Sequence, residues 1–247
     1  MFKDLVYDCI ATSHKHENIP APTGSHFFAS TLFTLLCSRS VSLLKFIPMS
    51  ISKDIVKEPW DYGTVAVLTR ALLEVRLAFF YLGAEAVTPE EWNCRWNILC
   101  LHDCTARKRL FEVIPSTEEE SPNQVDGFAR QTLELTERLT ANSYFAALPP
   151  GQQRRFLNGG EPYLSSLEEI ALRSGTAIGH FKVFYRLLSA QVHALPFSFF
   201  RMDEVDRGRG EHSPLEEGYI QLCLSFACHL LAGSRDEMNA KFSAGAA

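Results

Sequence analysis

The chain has 247 residues, a hydrophobic fraction of 46% and a formal net charge of −5. This composition excludes a disordered chain and a broad basic nucleic-acid footprint, but leaves room for a local phosphate pocket. Seven cysteines without a C-x-x-C pair read as reduced thiols of a cytoplasmic protein, and Lys3, Asp4 and Asp8 interrupt any secretory leader.

Helical periodicity dominates from the first residues. Phe2, Leu5, Val6, Cys9 and Ile10 form the stripe of an amphipathic helix, which ends before the Pro- and Gly-containing segment at 19–24. His14 and His16, two residues apart, do not share a helix face and read as a solvated helix end. Ser25 is the expected cap of a second helix that stops near Pro48. Its apolar stretch, Phe27 to Ile47, carries Arg39, Lys45 and several hydroxyls, so it reads as a core helix and not as a membrane span. A third helix is expected from about Asp61 to Gly83, with Leu68, Leu72, Val75, Phe79 and Leu82 on one face.

Three further helices announce their starts alike. Thr88-Pro89-Glu90-Glu91, Ser121-Pro122-Asn123-Gln124 and Ser213-Pro214-Leu215-Glu216 each place a hydroxyl at the cap and proline at the first helical position. They are expected to run to roughly Val113, Asn142 and Ala232. Pro149 to Gly160 reads as a loop or short helix, and Ser165 or Ser166 opens another short one ending near Gly175. The segment Phe197 to His212 reads as a loop with exposed charges, among them Arg201, Asp203, Glu204, Asp206, Arg207 and Arg209. The expectation is an all-α fold, one helical bundle of about seven to eight helices over 1–233, with a frayed tail at 234–247.

The segment most suggestive of chemistry is the helix from about Thr176 to Ala194. Pro196 biases Leu195 away from helical geometry and ends it. Arg186 and His193 are seven residues apart, close to two full turns, and Ser189 lies between them on the same stripe. The negative end of the helix favours an imidazolium at His193, which suits proton exchange with a ribose hydroxyl or a leaving oxygen. The planar fork of Arg186 suits a phosphate and its developing charge. Ser189 could orient either group, and Lys182 lies one turn before Arg186. The competing reading has Arg186 paired with a carboxylate and His193 capping its own helix.

On the third helix, Arg70 and Glu74 are one turn apart in the weaker order for a surface pair. Glu74 could serve Arg186 or orient His193, or the two could form an ordinary intrahelical pair. Arg107-Lys108-Arg109 and Arg154-Arg155 read as solvated faces or RNA rails. His102-Asp103-Cys104 with Cys94 and Cys100 lacks zinc-site spacing, and no Gly-rich phosphate loop, G-x-S-x-G or H-E-x-x-H occurs. No metal and no cofactor are expected.

Two resemblances follow from these residues. The Arg70 to Glu74 helix and the later Tyr185, Leu188, Ser189 and His193 segment resemble an uncharacterised bacterial all-helical family known only as a domain of unknown function. The Arg186/His193 pair also resembles the HEPN superfamily, whose active members carry an arginine, four to six residues, and a histidine near a helix end. That resemblance implies a helical bundle, often a homodimer in which two motifs meet, and metal-independent RNA cleavage by 2′-hydroxyl attack. It implies catalytic roles for His193 and Arg186; helix spacing adds Ser189 and Glu74 in support, and Arg70, Lys182 and Tyr185 are the candidate substrate contacts. It further implies RNA as substrate, a toxin or phage-defence setting and a protein partner or antitoxin; that no membrane is expected follows from the charges within Phe27 to Ile47. Leu187 departs from the pattern, because many HEPN nucleases have a polar residue directly after the arginine. The alternative function is a non-catalytic helical module that binds a protein or nucleotide.

Overall fold

The computed structural model describes residues 1–49, 58–113, 121–200, 202 and 207–243. Those residues are all-helical, with no strand among them. The single bridge joins Trp60 to Gly210 through Trp60 N–H to Gly210 O at 3.1 Å. Residues 1–233, taken as one stretch in the sequence, are distributed over two compact units. One comprises Met1–Glu85 with Leu167–Ala247, the other Ala86–Ser166.

The first unit holds α1 (Phe2–Lys15), α2 (Gly24–Lys45) and α3 (Tyr62–Phe79), the last continuing into a π turn over Phe80–Ala84. The second unit holds α4 (Pro89–Val113), α5 (Ser121–Thr140), α6 (Ser143–Ala146) and α7 (Pro150–Leu157). The chain then returns to the first unit with α8 (Leu167–Arg173), α9 (Ile178–Val192), α10 (Pro196–Phe199) and α11 (Pro214–Ser243). The count among the described residues is eleven, because the short α6, α7 and α10 join the helices announced by periodicity.

Local cap chemistry explains most starts. Glu91 N–H donates to Thr88 Oγ1 at 3.2 Å and Glu216 N–H to Ser213 Oγ at 3.1 Å, so two of the three hydroxyl-proline starts are capped as expected. The Ser121 cap lies outside the described side chains. The Ser25 expectation is corrected: Thr23 is the α2 cap, accepting from His26 N–H at 3.4 Å, and the Ser25 hydroxyl donates instead to Gly83 O at 3.5 Å. At the other end of the chain, residues from Ser234 expected to fray are helical to Ser243, and Ser234, Met238 and Phe242 are buried.

α3 is the central element of the first unit. Val65, Ala66, Leu72, Leu73, Leu77 and Phe79 are all buried, on more of its girth than the single expected face. Each of the larger side chains, Ala66 excepted, contributes about 1.5–3 kcal/mol by leaving water. α2, α9 and α11 pack against it. α2 is long and apolar enough to cross a membrane by composition alone, with a mean hydropathy of 1.5. In this structure its Ala29, Phe33, Leu36, Cys37 and Leu43 are buried in the first unit.

Two polar ties cross this core. Arg76, 2% exposed, donates from Nη1 and Nη2 to the two carboxylate oxygens of Glu237 at 2.6 and 2.7 Å, and from Nη2 to Ser174 O at 3.1 Å. Glu216, equally buried, accepts from the N–H of Tyr62 and Gly208, both at 3.1 Å, and from Arg207 Nε at 3.3 Å. Arg207 was expected among exposed loop charges. It is instead packed over Tyr62 and Tyr219, which stack on each other. Arg201, Asp203, Glu204 and Asp206 of that expectation lie outside the described residues. His16 is likewise no solvated end: its ring is buried and stacks on Phe242 at 5.1 Å.

The second unit has its own core of Cys94, Ile98, Leu101, Leu139, Phe145 and Phe156. Its basic clusters meet carboxylates, Arg107 with Asp103 and Arg155 with Glu161. All seven cysteines are free thiols.

Candidate functional site

The candidate residues sit on α9 and the facing stretch of α3. α9 buries Phe181, Leu188 and Ala190, and Phe184 stacks face to face on Phe226 of α11 at 4.0 Å. That packing fixes which side of α9 remains outside. Arg186 and His193 are on it: both are exposed, and neither side chain meets a polar partner among the described residues. Helical spacing leaves them about 20° apart around the axis.

His193 is the residue that caps the helix. Its own N–H donates to Ser189 O at 3.0 Å, Ala194 N–H to Gln191 O at 3.4 Å and Leu195 N–H to Ala190 O at 3.0 Å. This is the closure usually built around glycine, in which the last carbonyls are satisfied by a left-handed residue. α8 ends that way with Gly175 at φ 83°, but α9 does so with Ala194 at φ 45°. An alanine in that region costs about 1–2 kcal/mol. Strained backbone therefore lies directly beside the candidate histidine. Pro196 then opens α10, and Phe197 and Phe199 are exposed beyond it.

The supporting residues are placed differently from one another. Arg70 binds Glu74 on its own helix, the ordinary intrahelical pair. It also reaches α9, where Nε donates to Ser189 Oγ at 3.3 Å and the guanidinium lies 4.1 Å from the Tyr185 ring centroid. Four predicted residues, Arg70, Glu74, Tyr185 and Ser189, are thus brought together in one cluster. Glu74 meets Arg70, with no contact to Arg186 or His193 among the described residues. Lys182 pairs with Glu168 of α8 at 3.1 Å, with both side chains half-exposed. The seven residues form an interlocked cluster, an exposed pair and one surface ion pair.

Sequence reading missed the buried arginines Arg76 and Arg207 and their carboxylates. The one available signal was an arginine within the apolar run of α3. Among the described residues, no three His, Cys, Asp or Glu side chains gather as a metal-ligand set. No protein-family model matches the chain, no curated protein is significantly similar to it, and no solved structure matches it.

Proposed function

We propose that the protein is a HEPN-like, metal-independent endoribonuclease acting through Arg186 and His193. One observation carries the reading: both side chains are exposed on one face of α9, at its strained end, with no polar partner among the described residues. A guanidinium and an imidazole with no polar partner among the described residues are available to a phosphodiester. In this reading His193 takes the proton of the ribose 2′-hydroxyl. The 2′-oxygen attacks the adjacent phosphorus, and the 5′-oxygen of the next nucleotide leaves with a proton. The products are a 2′,3′-cyclic phosphate and a 5′-hydroxyl. Arg186 neutralises the non-bridging oxygens as charge builds. A second protomer supplies the complementary histidine, a toxin or phage-defence role provides the setting, and an antitoxin-type partner holds the enzyme silent in the cytoplasm.

The test is incubation of the purified chain with RNA in excess chelator. Wild type should leave cyclic-phosphate ends and His193→Ala should leave the RNA whole. Equal amounts of intact RNA would end the nuclease reading.

A second reading, a non-catalytic helical module, is favoured by the Arg70, Glu74, Tyr185 and Ser189 cluster. Arg70 there is already engaged by Glu74, Ser189 and the Tyr185 ring. Retained RNA binding with no cleavage by wild type would select it.

A further inference from the structure

A cavity of about 470 Å³ opens in the first unit, away from the α9 pair, between the end of α1, the turn after it and the outer side of α2. Ser13, His16, Glu17, Phe27, Thr31 and Thr34 are among the residues that line it. Two of its hydroxyls have committed their protons to their own helix. Thr31 Oγ1 donates to Phe27 O at 3.0 Å and Thr34 Oγ1 to Ser30 O at 2.9 Å, so each hydroxyl has spent its one proton on its own helix. Ser13 and Thr34 hydroxyls are 3.5 Å apart. With the Thr34 proton committed, Ser13 is the donor there. Three hydroxyls therefore offer lone pairs to the cavity.

The other walls agree. Glu17 adds a carboxylate, exposed and shared only with His14 at 3.2 Å. His16 is 7% exposed, and its Nε2 faces Asn239 Oδ1 at 3.2 Å. Phe27 is an exposed aromatic at the rim, and an aromatic face attracts cations. An anion would meet lone pairs and a carboxylate. A neutral polyol could use the Asn18 amide and the Ser30 hydroxyl, but it would bring no charge opposite to that of Glu17. A group rich in N–H donors and positively charged meets a partner on most walls.

We propose that this cavity binds a small protonated amine, its ammonium between Glu17 and the Ser13 and Thr34 oxygens and its carbon skeleton along Phe27. The site is independent of the nuclease reading.

The test is titration of the full chain with phenethylammonium and, separately, with the neutral 2-phenylethanol, followed by backbone amide shifts and calorimetry. The amine should bind with shifts at Ser13, Thr31 and Thr34, and the alcohol at least about tenfold more weakly. Glu17→Gln, an exposed change that leaves the fold intact by circular dichroism, should weaken the amine at least about tenfold, and Thr34→Val should also weaken it. No amine binding up to about 10 mM, equal binding of the alcohol, an unchanged Glu17→Gln protein, or shifts mapping elsewhere would each overturn the proposal.

Discussion

The Arg70 guanidinium lies over the Tyr185 ring at 4.1 Å from its centroid and, through Nε, donates to Ser189 one turn further along α9. This arrangement fastens α9 to α3 on the side next to the exposed Arg186 and His193. A planar fork can stack and donate at once, whereas an ammonium cannot. Arg70→Lys keeps the charge, and it is expected to lower stability by about 1 kcal/mol from the lost stack and hydrogen bond. The urea midpoint checks this, and an unchanged midpoint would show that the stack contributes nothing.

Arg76 and Glu237 give a larger expectation. Removing one partner of a buried pair strands the other charge, at a cost of about 3–5 kcal/mol. Glu237→Gln, which strands the buried Arg76 charge, should destabilise the protein by that order, and Arg76→Met by less, because the Glu237 side chain is 26% exposed and keeps some water. The double substitution should cost less than the two singles together, and the coupling in a double-mutant cycle measures the difference.

Ala194 predicts a gain. Glycine removes the left-handed strain but adds freedom to the unfolded chain. Ala194→Gly should therefore raise stability by about 0.5–1 kcal/mol net, whereas Ala194→Val should lower it. Parallel denaturant curves for the three proteins decide it.

The buried thiols set an alkaline limit. Burial pushes the Cys9 and Cys223 thiols up to about 12. In the unfolded chain they ionise near about 8.5. Below that pH both states hold the proton and the contribution is fully present. Above it the unfolded state binds fewer protons, so stability falls as pH rises toward about 12. Unfolding midpoints should drop between pH 8 and pH 10, and iodoacetamide at pH 8 should label these two cysteines in urea but not in the native protein. Native labelling at Cys9 would contradict their burial.

The helices were readable because their signals are local. Thr88 and Ser213 lie three residues from the N–H groups they accept from, and proline follows each at once. Ser25 misled because Thr23, two residues earlier, has the same chemistry. The ties were not readable. Arg76 and Glu237 are 161 residues apart, and nothing periodic links them. In the candidate site, spacing placed Arg186 and His193 on one exposed face, but it could not assign Glu74 to Arg70 or Ser189 to Arg70. Those choices depend on where α3 meets α9, a matter of packing. The positive φ of Ala194 left no trace in sequence either, since alanine is not the residue that announces such a turn.

The π turn at Phe80–Ala84 gives this stretch a sensitivity to length. Such a turn accommodates one residue more than an α turn between bonded groups, here Glu85 N–H and Phe80 O at 2.8 Å. Excising one residue would restore ordinary helical bonding and turn the last residues of this stretch, up to Glu85, by about 100°. Gly83, where a Cβ would sit 2.7 Å from Ala29 Cα, would no longer face Ala29, and Glu85 would turn away from Arg173, its partner at 2.6 Å. A one-residue deletion here therefore acts as a rotation of the helix end, absorbed by the loop that follows Glu85.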